Sequence, residues 1–220
     1  MKKMTLSEEN YLKTIYHLSK DADKGISTNS IAATMDTKAS SVTDMLKKLA
    51  DKDLVIYKKY QGVKLTVHGR LSAARIVRKH RLWEVFLVEK LNFSWDEVHE
   101  VAEQLEHVKS DKLIQELDSF LDYPKVDPHG DPIPDEKGNI TSFQKVILAS
   151  FKKGDKGVFV GVKNSSSDFL QYLDKLDLSL GNTLEVMSKE PFDSSMIIKN
   201  NKSVITISSI TAQNIYLQKT

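Results

Sequence analysis

Residues 27–66 read STNSIAATMDTKASSVTDMLKKLADKDLVIYKKYQGVKLT. Ser27 or Thr28 can cap a short helix that carries Ile31, and a second short helix follows after only three residues, 36–38. The second helix places its apolar residues on one face. Two short helices joined by a tight turn predict a helix-turn-helix.

The sequence then changes from a helical to a strand-like pattern. Residues 54–57 and 63–66 predict two strands with a polar turn around Gly62. A hairpin directly after the second helix predicts a winged helix-turn-helix, whose second helix enters the major groove of DNA. Hydroxyls and cations on that helix and on the wing can contact bases and phosphates. We expect DNA contacts from Thr37, Lys38, Ser40, Ser41, Thr43, Asp44, Lys47, Lys48, Lys58, Lys59 and Lys64.

The charges divide the chain into two parts of opposite sign. Residues 1–82 carry 17 Lys and Arg against 8 Asp and Glu, whereas residues 83–220 carry 15 against 22. A basic part of this kind indicates a polyanionic partner, although an ordinary solvated lysine face is the alternative. Together with the wing, it favours double-stranded DNA.

Composition excludes several classes of protein. The chain of 220 residues contains no cysteine, so disulfides, iron–sulfur clusters and zinc–thiolate sites are impossible, and any metal meets only oxygen and nitrogen. No run approaches the roughly 20 apolar residues that a membrane span needs. We therefore expect a cytoplasmic protein without a membrane partner.

Imidazoles and carboxylates are concentrated in a region predicted to form two helices: His80, Glu84, His99, Glu103, Glu106 and His107. Spacings of three and four residues place them on shared helix faces. Singly, each is ordinarily a buried hydrogen-bonded histidine or a solvated glutamate, but a stripe of like charges is costly without a cation. Two antiparallel helices can form one or two octahedral sites for a divalent first-row metal. His17 and His68 lack such neighbours and are not expected to bind metal.

The long helix predicted at residues 69–91 is apolar on more than one side. Both sides must be buried. One can cover its own domain and the other a second copy, which predicts a twofold homodimer and a palindromic operator. A helix central to the core of a monomer is the alternative.

Four stretches resemble a known family when taken together: residues 10–16 (NYLKTIY), 77–84 (VRKHRLWE), 103–111 (EQLEHVKSD) and 127–134 (DPHGDPIP). They resemble the diphtheria toxin repressor family of iron- and manganese-dependent transcriptional repressors. The resemblance implies a homodimer that represses metal-uptake genes when metal is plentiful, with no small-molecule substrate.

The resemblance also implies two metal sites. The primary site uses residue 10, an asparagine here, and His80, Glu103, Glu106 and His107. The second uses Glu84, the loop that contains Asp127 and His129, and an acidic residue for which Asp168 is the candidate. His99 matches a second-site ligand of the iron-sensing branch. Glu103 follows the manganese branch, whereas Asn10 follows neither branch. Hard ligands favour Mn²⁺, with Fe²⁺ as the alternative.

The C-terminal part is strand-rich. Strands are predicted at residues 146–151, 158–162, 183–187, 196–198 and 204–207, with a helix at 168–176. They indicate a small barrel that resembles the SH3-like (FeoA-type) domain of the longer family members. The expected fold is mainly α with a small β domain: a winged helix-turn-helix (residues 1–68), a helical dimerisation and metal-binding domain (69–140) and an SH3-like barrel (141–220).

Two other functions compete with this interpretation. A metal-independent winged-helix regulator would use the acidic helices only as a dimer scaffold. A di-metal carboxylate enzyme would use the same histidines and glutamates, but it needs paired Glu-x-x-His motifs on four long helices, and the chain has no such pair. We therefore do not expect an enzyme.

Overall fold

A computed structural model of the chain describes residues 4–19, 25–58, 61–141, 144–201 and 203–220. The helices and strands up to residue 120 are α1 Leu6–Leu18, α2 Thr28–Thr34, α3 Ala39–Ala50, β1 Val55–Lys58, β2 Gly62–Leu65, α4 Val67–Leu91, α5 Val98–Leu105 and α6 Asp111–Phe120. Those that follow are β3 Val146–Ile147, β4 Lys156–Val162, α7 Ser167–Lys175, β5 Thr183–Lys189, β6 Met196–Asn200, β7 Ser203–Ile207, α8 Ser209–Gln213 and β8 Ile215–Lys219.

The described residues form two compact units. The first contains the described parts of residues 1–83, 102–120 and 133–140, and the second those of 84–101, 121–132 and 141–220. Within the described residues, no helix is long and apolar enough to cross a membrane.

The first unit contains the predicted winged helix-turn-helix. Ser27 caps α2, since its hydroxyl accepts the backbone N–H of Ser30 at 3.0 Å. Val42, Leu46 and Leu49 of α3 are fully buried in one core with residues of α1 and α2. The wing is the antiparallel pair β1–β2. Lys59, also predicted to contact DNA, lies outside the described residues.

A close backbone approach fixes the turn of the wing. Gly62 has a φ of +84°, and a Cβ placed there would lie 2.6 Å from the carbonyl oxygen of Ile26. Ile26 in turn pairs with Val63 through two backbone hydrogen bonds of 2.9 Å. Only glycine fits both requirements, so the wing is anchored to the segment that precedes α2.

Helix α4 buries much of its apolar surface within the chain. Ile76, Val77 and Leu82 are at most 2% exposed. The two-sided apolar pattern therefore does not by itself indicate a dimer, because the single chain already covers these side chains.

The second unit contains the predicted β domain. Its antiparallel sheet has the strand order β3-β8-β4-β5-β6-β7 and encloses a core that includes Phe151, Phe159 and Leu184. Strand β8 and helix α8 were not predicted. The strand predicted at 146–151 is instead the two-residue β3 followed by a 3₁₀ turn at Leu148–Ser150, which the Ser150 hydroxyl closes by donating to the carbonyl oxygen of Ile147. The predicted class, mainly α with a small C-terminal SH3-like β domain, is confirmed.

We expect Glu8→Gln to weaken the start of α1. Thr5 and Glu8 form a reciprocal capping box, and Lys52 Nζ lies 2.7 Å from the Glu8 carboxylate. Burial opposes ionisation of this carboxyl, but Lys52 and Thr5 outweigh it and hold the pKa of Glu8 below its usual range. Glutamine can still close the capping box, so the substitution removes chiefly the ion pair with Lys52. We expect a loss of about 1 kcal/mol, or roughly 2–4 °C in melting temperature.

The pH dependence provides the check. A carboxyl whose pKa is lowered by folding stabilises the fold above its unfolded pKa, and this contribution is lost as the pH falls through the folded pKa. Circular dichroism melts should therefore separate Glu8→Gln from the wild type at about pH 7, and the difference should shrink as the pH falls below the usual pKa range of a glutamate. The exposed substitution Glu116→Gln is the control. An equal difference at neutral and at acidic pH would contradict the assignment.

Candidate metal sites and nucleic-acid interface

The first unit gathers seven polar side chains around α1 and the end of α5, which we call the α1–α5 cluster: Glu9, Asn10, Lys13, His80, Glu103, Glu106 and His107. His80 Nδ1 lies 2.7 Å from Glu106 Oε2, and Lys13 Nζ lies 2.7 Å from the same oxygen. Lys13 also contacts Glu103 Oε1. The predicted primary-site residues His80, Glu103 and Glu106 thus come together beside α1, the helix that also carries Asn10.

Glu106 is the buried centre of the cluster. Its side chain is fully buried. Burial disfavours its carboxylate, but the hydrogen bond from His80 and the charge of Lys13 outweigh that cost and hold the pKa of Glu106 below its usual range. The group is therefore a carboxylate at neutral pH, with a negative charge available to a cation.

Two buried oxygens of the cluster lack hydrogen-bond donors. They are Glu106 Oε1 and Asn10 Oδ1. A buried acceptor without a donor is costly, so each such atom requires an explanation. A bound divalent cation supplies one, because carboxylate and amide oxygens are ligands that hard metal ions accept.

His107 supports the same conclusion from the nitrogen side. Its Nδ1 lies 2.6 Å from Glu9 Oε2, so in the neutral ring Nδ1 carries the proton and Nε2 carries the lone pair. That Nε2 is 3.9 Å from Glu106 Oε1. Two acceptors that face each other at this separation fit a metal ion between them, and a carboxylate behind the ring is the usual way to orient a ligating histidine.

The sequence prediction for this cluster needs two corrections. Glu106 and His107 do not lie within the helix, because α5 ends at Leu105 and they occupy the turn that follows; only the bond from Glu106 N to Ala102 O, at 2.9 Å, continues the helical pattern. Glu9 and Lys13 were missed. Their spacing of four residues on α1, on either side of Asn10, was the available signal.

The second unit contains a separate group, which we call the Glu84–His129 cluster. Ligand atoms of Glu84, Asp127 and His129 lie within 4.8 Å of one another, and all three residues are buried. His99 Nδ1 lies 3.5 Å from Glu84 Oε1, and His129 Nδ1 lies 3.8 Å from the same oxygen. Four of the five residues predicted for a second site thus lie together.

A backbone carbonyl fixes the protonation of His129. Its Nε2 lies 2.7 Å from the carbonyl oxygen of Trp95, which can only accept, so Nε2 carries the proton and Nδ1 carries the lone pair. The Trp95 indole stacks on the imidazole with ring centres 6.4 Å apart and planes 13° from parallel. His129 is therefore held with its lone pair on the side of Glu84, as a metal ligand requires.

Asp127 shapes the loop that presents His129. Its Oδ1 accepts the backbone N–H groups of His129 and Asp131, each at 2.9 Å. The carbonyl of His129 accepts the N–H of Val162 from β4 at 3.0 Å. This loop is therefore closed by the Asp127 carboxylate and hydrogen-bonded to β4 at His129.

Asp168, the fifth predicted residue, is exposed in the first turn of α7 and is not part of this cluster. Its neighbours attach α7 to the segment at Asp96: Ser167 Oγ donates to the Asp96 carbonyl at 2.9 Å, and Gln171 Nε2 donates to the Asp96 carboxylate at 2.7 Å. The described contacts around Asp168 are structural.

Most of the residues predicted to read DNA are exposed. The exposed members on α3, its preceding turn and the wing are Thr37, Lys38, Ser40, Ser41, Asp44, Lys47, Lys48, Lys58 and Lys64. Thr43 differs, because it is half-buried and its hydroxyl donates to the carbonyl of Ala39 at 3.0 Å. Lys47 and Asp44 form an exposed ion pair of 3.2 Å, and exposed pairs of this kind contribute little to stability.

Family models match nearly the whole chain. They describe an iron-dependent repressor N-terminal DNA-binding domain at residues 3–63, an iron-dependent repressor metal-binding and dimerisation domain at 66–135, and a FeoA domain at 146–219. These matches follow the order of the winged helix, the helical region and the β domain.

Individual relatives agree. An uncharacterized HTH-type transcriptional regulator of Methanocaldococcus jannaschii is 37% identical over 119 residues, which is 54% of this chain and 95% of the relative. The iron-dependent repressor IdeR of Mycobacterium tuberculosis is 32% identical over 134 residues, 61% of this chain and 58% of IdeR. A solved manganese-dependent transcriptional repressor in complex with manganese has a TM-score of 0.85 at 32% identity and covers 97% of this chain and 100% of its own.

Gly130 is expected to be indispensable to the loop of His129. It has a φ of +81°, and a Cβ there would lie 1.9 Å from the carbonyl oxygen of Val160. Gly154 has a similar φ of +88° with nothing within 4 Å, so Gly154→Ala costs only the backbone strain, about 1–2 kcal/mol. Gly130→Ala adds a collision with backbone and should cost about 3 kcal/mol or more. Thermal melts compare the two, and equal losses would contradict the close approach.

Proposed function

Because the chain belongs to the diphtheria toxin repressor family of iron-dependent repressors, we propose that it is a Mn²⁺-responsive repressor that binds a palindromic operator as a homodimer. The family consists of transcriptional repressors, not enzymes. We assign residues 1–68 to DNA binding, 69–140 to metal binding and dimerisation, and 141–220 to the SH3-like domain. Metal-uptake genes are the proposed targets.

The proposal of Mn²⁺ rests on the chemical types of the candidate ligand atoms. The two clusters offer carboxylates, imidazoles and one amide, and the chain has no cysteine. Oxygen-rich sites suit Mn²⁺, whereas soft thiolates select other metals. Raw affinity at such a site rises from Mn²⁺ to Fe²⁺ and beyond, so occupation by Mn²⁺ depends on geometry and on the metal available in the cell. The similarity to a manganese-dependent repressor supports the same choice.

In the α1–α5 cluster, we assign the metal to Asn10, His80, Glu103, Glu106 and His107, with Glu9 orienting His107. A bound cation supplies positive charge to Glu106 Oε1 and Asn10 Oδ1, the two oxygens that lack donors. Of these five residues, four lie on α4, on α5 or in the turn after α5, and one, Asn10, lies on α1. Occupation therefore fastens α1 to the residues that follow α5.

This attachment can control the DNA-reading surface. Tyr11, Leu12 and Ile15 of α1 pack in one core with Val42 and Leu46 of α3. Constraining α1 therefore constrains the orientation of α3. Metal favours DNA binding to the extent that it binds the DNA-competent orientation more tightly than the other orientations. In a homodimer, the two α3 helices would then match half-sites about one helical turn apart.

The Glu84–His129 cluster is the proposed second metal site. We assign it Glu84, His99, Asp127 and His129, and retain Asp168 as a further ligand only if α7 moves towards it. The loop of Asp127 and His129 is hydrogen-bonded to β4. Metal at this site would therefore rigidify the loop and the adjoining strand of the second unit.

The metal dependence is tested on a duplex selected from a random pool in the presence of Mn²⁺. We expect Mn²⁺ to raise the affinity for this duplex about tenfold or more, as measured by fluorescence anisotropy. Glu106→Gln keeps the volume of the side chain but removes its charge, and it should abolish the stimulation. Glu116→Gln, an exposed substitution on α6, should preserve it. Equal binding with and without Mn²⁺ would favour the metal-independent regulator.

The DNA-reading surface is tested by salt dependence. Lys48→Ala on α3 should weaken binding to all sequences and reduce the slope of log affinity against log salt by about 1, because one phosphate contact is lost. Lys112→Ala, an exposed lysine of α6 away from the reading helix, is the control. An unchanged slope for Lys48→Ala would remove this lysine from the interface.

A further inference from the structure

The α1–α5 cluster already contains a cation of the chain itself. Lys13 is buried, and its ammonium contacts the carboxylates of both Glu103 and Glu106. Its distance to Glu106 Oε2 is 2.7 Å, a normal length for a charge-assisted hydrogen bond. The two glutamates proposed as ligands are therefore neutralised in part before any metal arrives.

A lysine in this position has two opposing effects. It stabilises the metal-free protein, since buried carboxylates without a cation are strongly destabilising. It also pairs with one carboxylate oxygen of each of the two proposed glutamate ligands, Glu103 Oε1 and Glu106 Oε2, and its charge repels a divalent ion at short range. Glu106 Oε1 and Asn10 Oδ1 have no donor, so an attraction for a further cation persists. The ammonium weakens metal binding without eliminating it.

We propose that Lys13 is a tethered competitor for the divalent cation, which raises the Mn²⁺ concentration at which the α1–α5 cluster fills. The proposal rests on the proposed function, since it requires that this cluster bind metal. Because Lys13 belongs to α1, it also joins α1 to Glu103 and Glu106 when metal is absent. Metal binding then replaces the Lys13 contacts of α1 with a link through the metal, so α1 is attached in both states.

Mn²⁺ binding without DNA provides the test. The electron paramagnetic resonance signal of free Mn²⁺ is titrated against the full chain. Lys13→Gln removes the charge but keeps an N–H donor for the carboxylates, and it should bind Mn²⁺ at this cluster roughly tenfold more tightly. Lys13→Arg keeps the charge and should keep the weaker wild-type affinity. The double variant Lys13→Gln with Glu106→Gln should lose the gain, which assigns it to this cluster.

Lys52→Gln is the matched control. Lys52 also pairs with a buried glutamate of α1, Glu8, at 2.7 Å, but that pair lies outside the cluster. Its removal should leave Mn²⁺ affinity unchanged. If Lys13→Gln is unstable without metal, the Mn²⁺-induced rise in melting temperature replaces the titration, and the rise should be larger for Lys13→Gln than for Lys13→Arg.

The outcomes separate the two proposals. If Lys13→Gln binds Mn²⁺ no more tightly than the wild type, or if Mn²⁺ raises both melting temperatures equally, Lys13 is not a competitor for the metal. The proposed metal-dependent function would remain intact. Tighter binding by Lys52→Gln as well would also overturn the competitor role, because the effect would then follow from loss of any positive charge on this side of the protein. Absence of Mn²⁺ binding in all variants would overturn the proposed function and this inference together.

Discussion

The buried carboxylate of Glu106 is the constraint on which the rest of the first unit depends. A fully buried negative charge persists only with cations or donors around it. Here His80 and Lys13 converge on one of its oxygens, and the other faces the Nε2 of His107. These partners come from α1, from α4 and from the turn after α5. One charge therefore joins three parts of the chain that are distant in sequence.

In the second unit, backbone groups orient the candidate metal ligands Asp127 and His129. The Trp95 carbonyl sets the proton of His129, and the Asp127 carboxylate accepts two N–H groups of its own loop. Gly130 permits the loop to approach β4. A histidine and two carboxylates are thus held close together without depending on long flexible side chains, which is what a preorganised metal site requires.

The parts of the fold and of the candidate sites that depend on local sequence signals could be predicted, and those that depend on long-range contacts could not. The cap at Ser27, the short turn before α3 and the alternation around Gly62 are local, so the winged helix followed from the sequence. The pairing of Lys13 with Glu106 spans 93 positions and has no local signature. The Trp95 carbonyl is a backbone group and is invisible to residue patterns. Asp168 followed only from the family resemblance, and its exposure on α7 has no signature in the local sequence.

Anomalous diffraction from crystals grown with Mn²⁺ would show whether these carboxylates and imidazoles are metal ligands. We expect an anomalous peak bounded by Glu84, Asp127 and His129, and a second peak near Glu106 Oε1, His107 Nε2 and Asn10 Oδ1 once Mn²⁺ is in excess. Peaks elsewhere on the chain, or none at either cluster in excess Mn²⁺, would contradict this assignment.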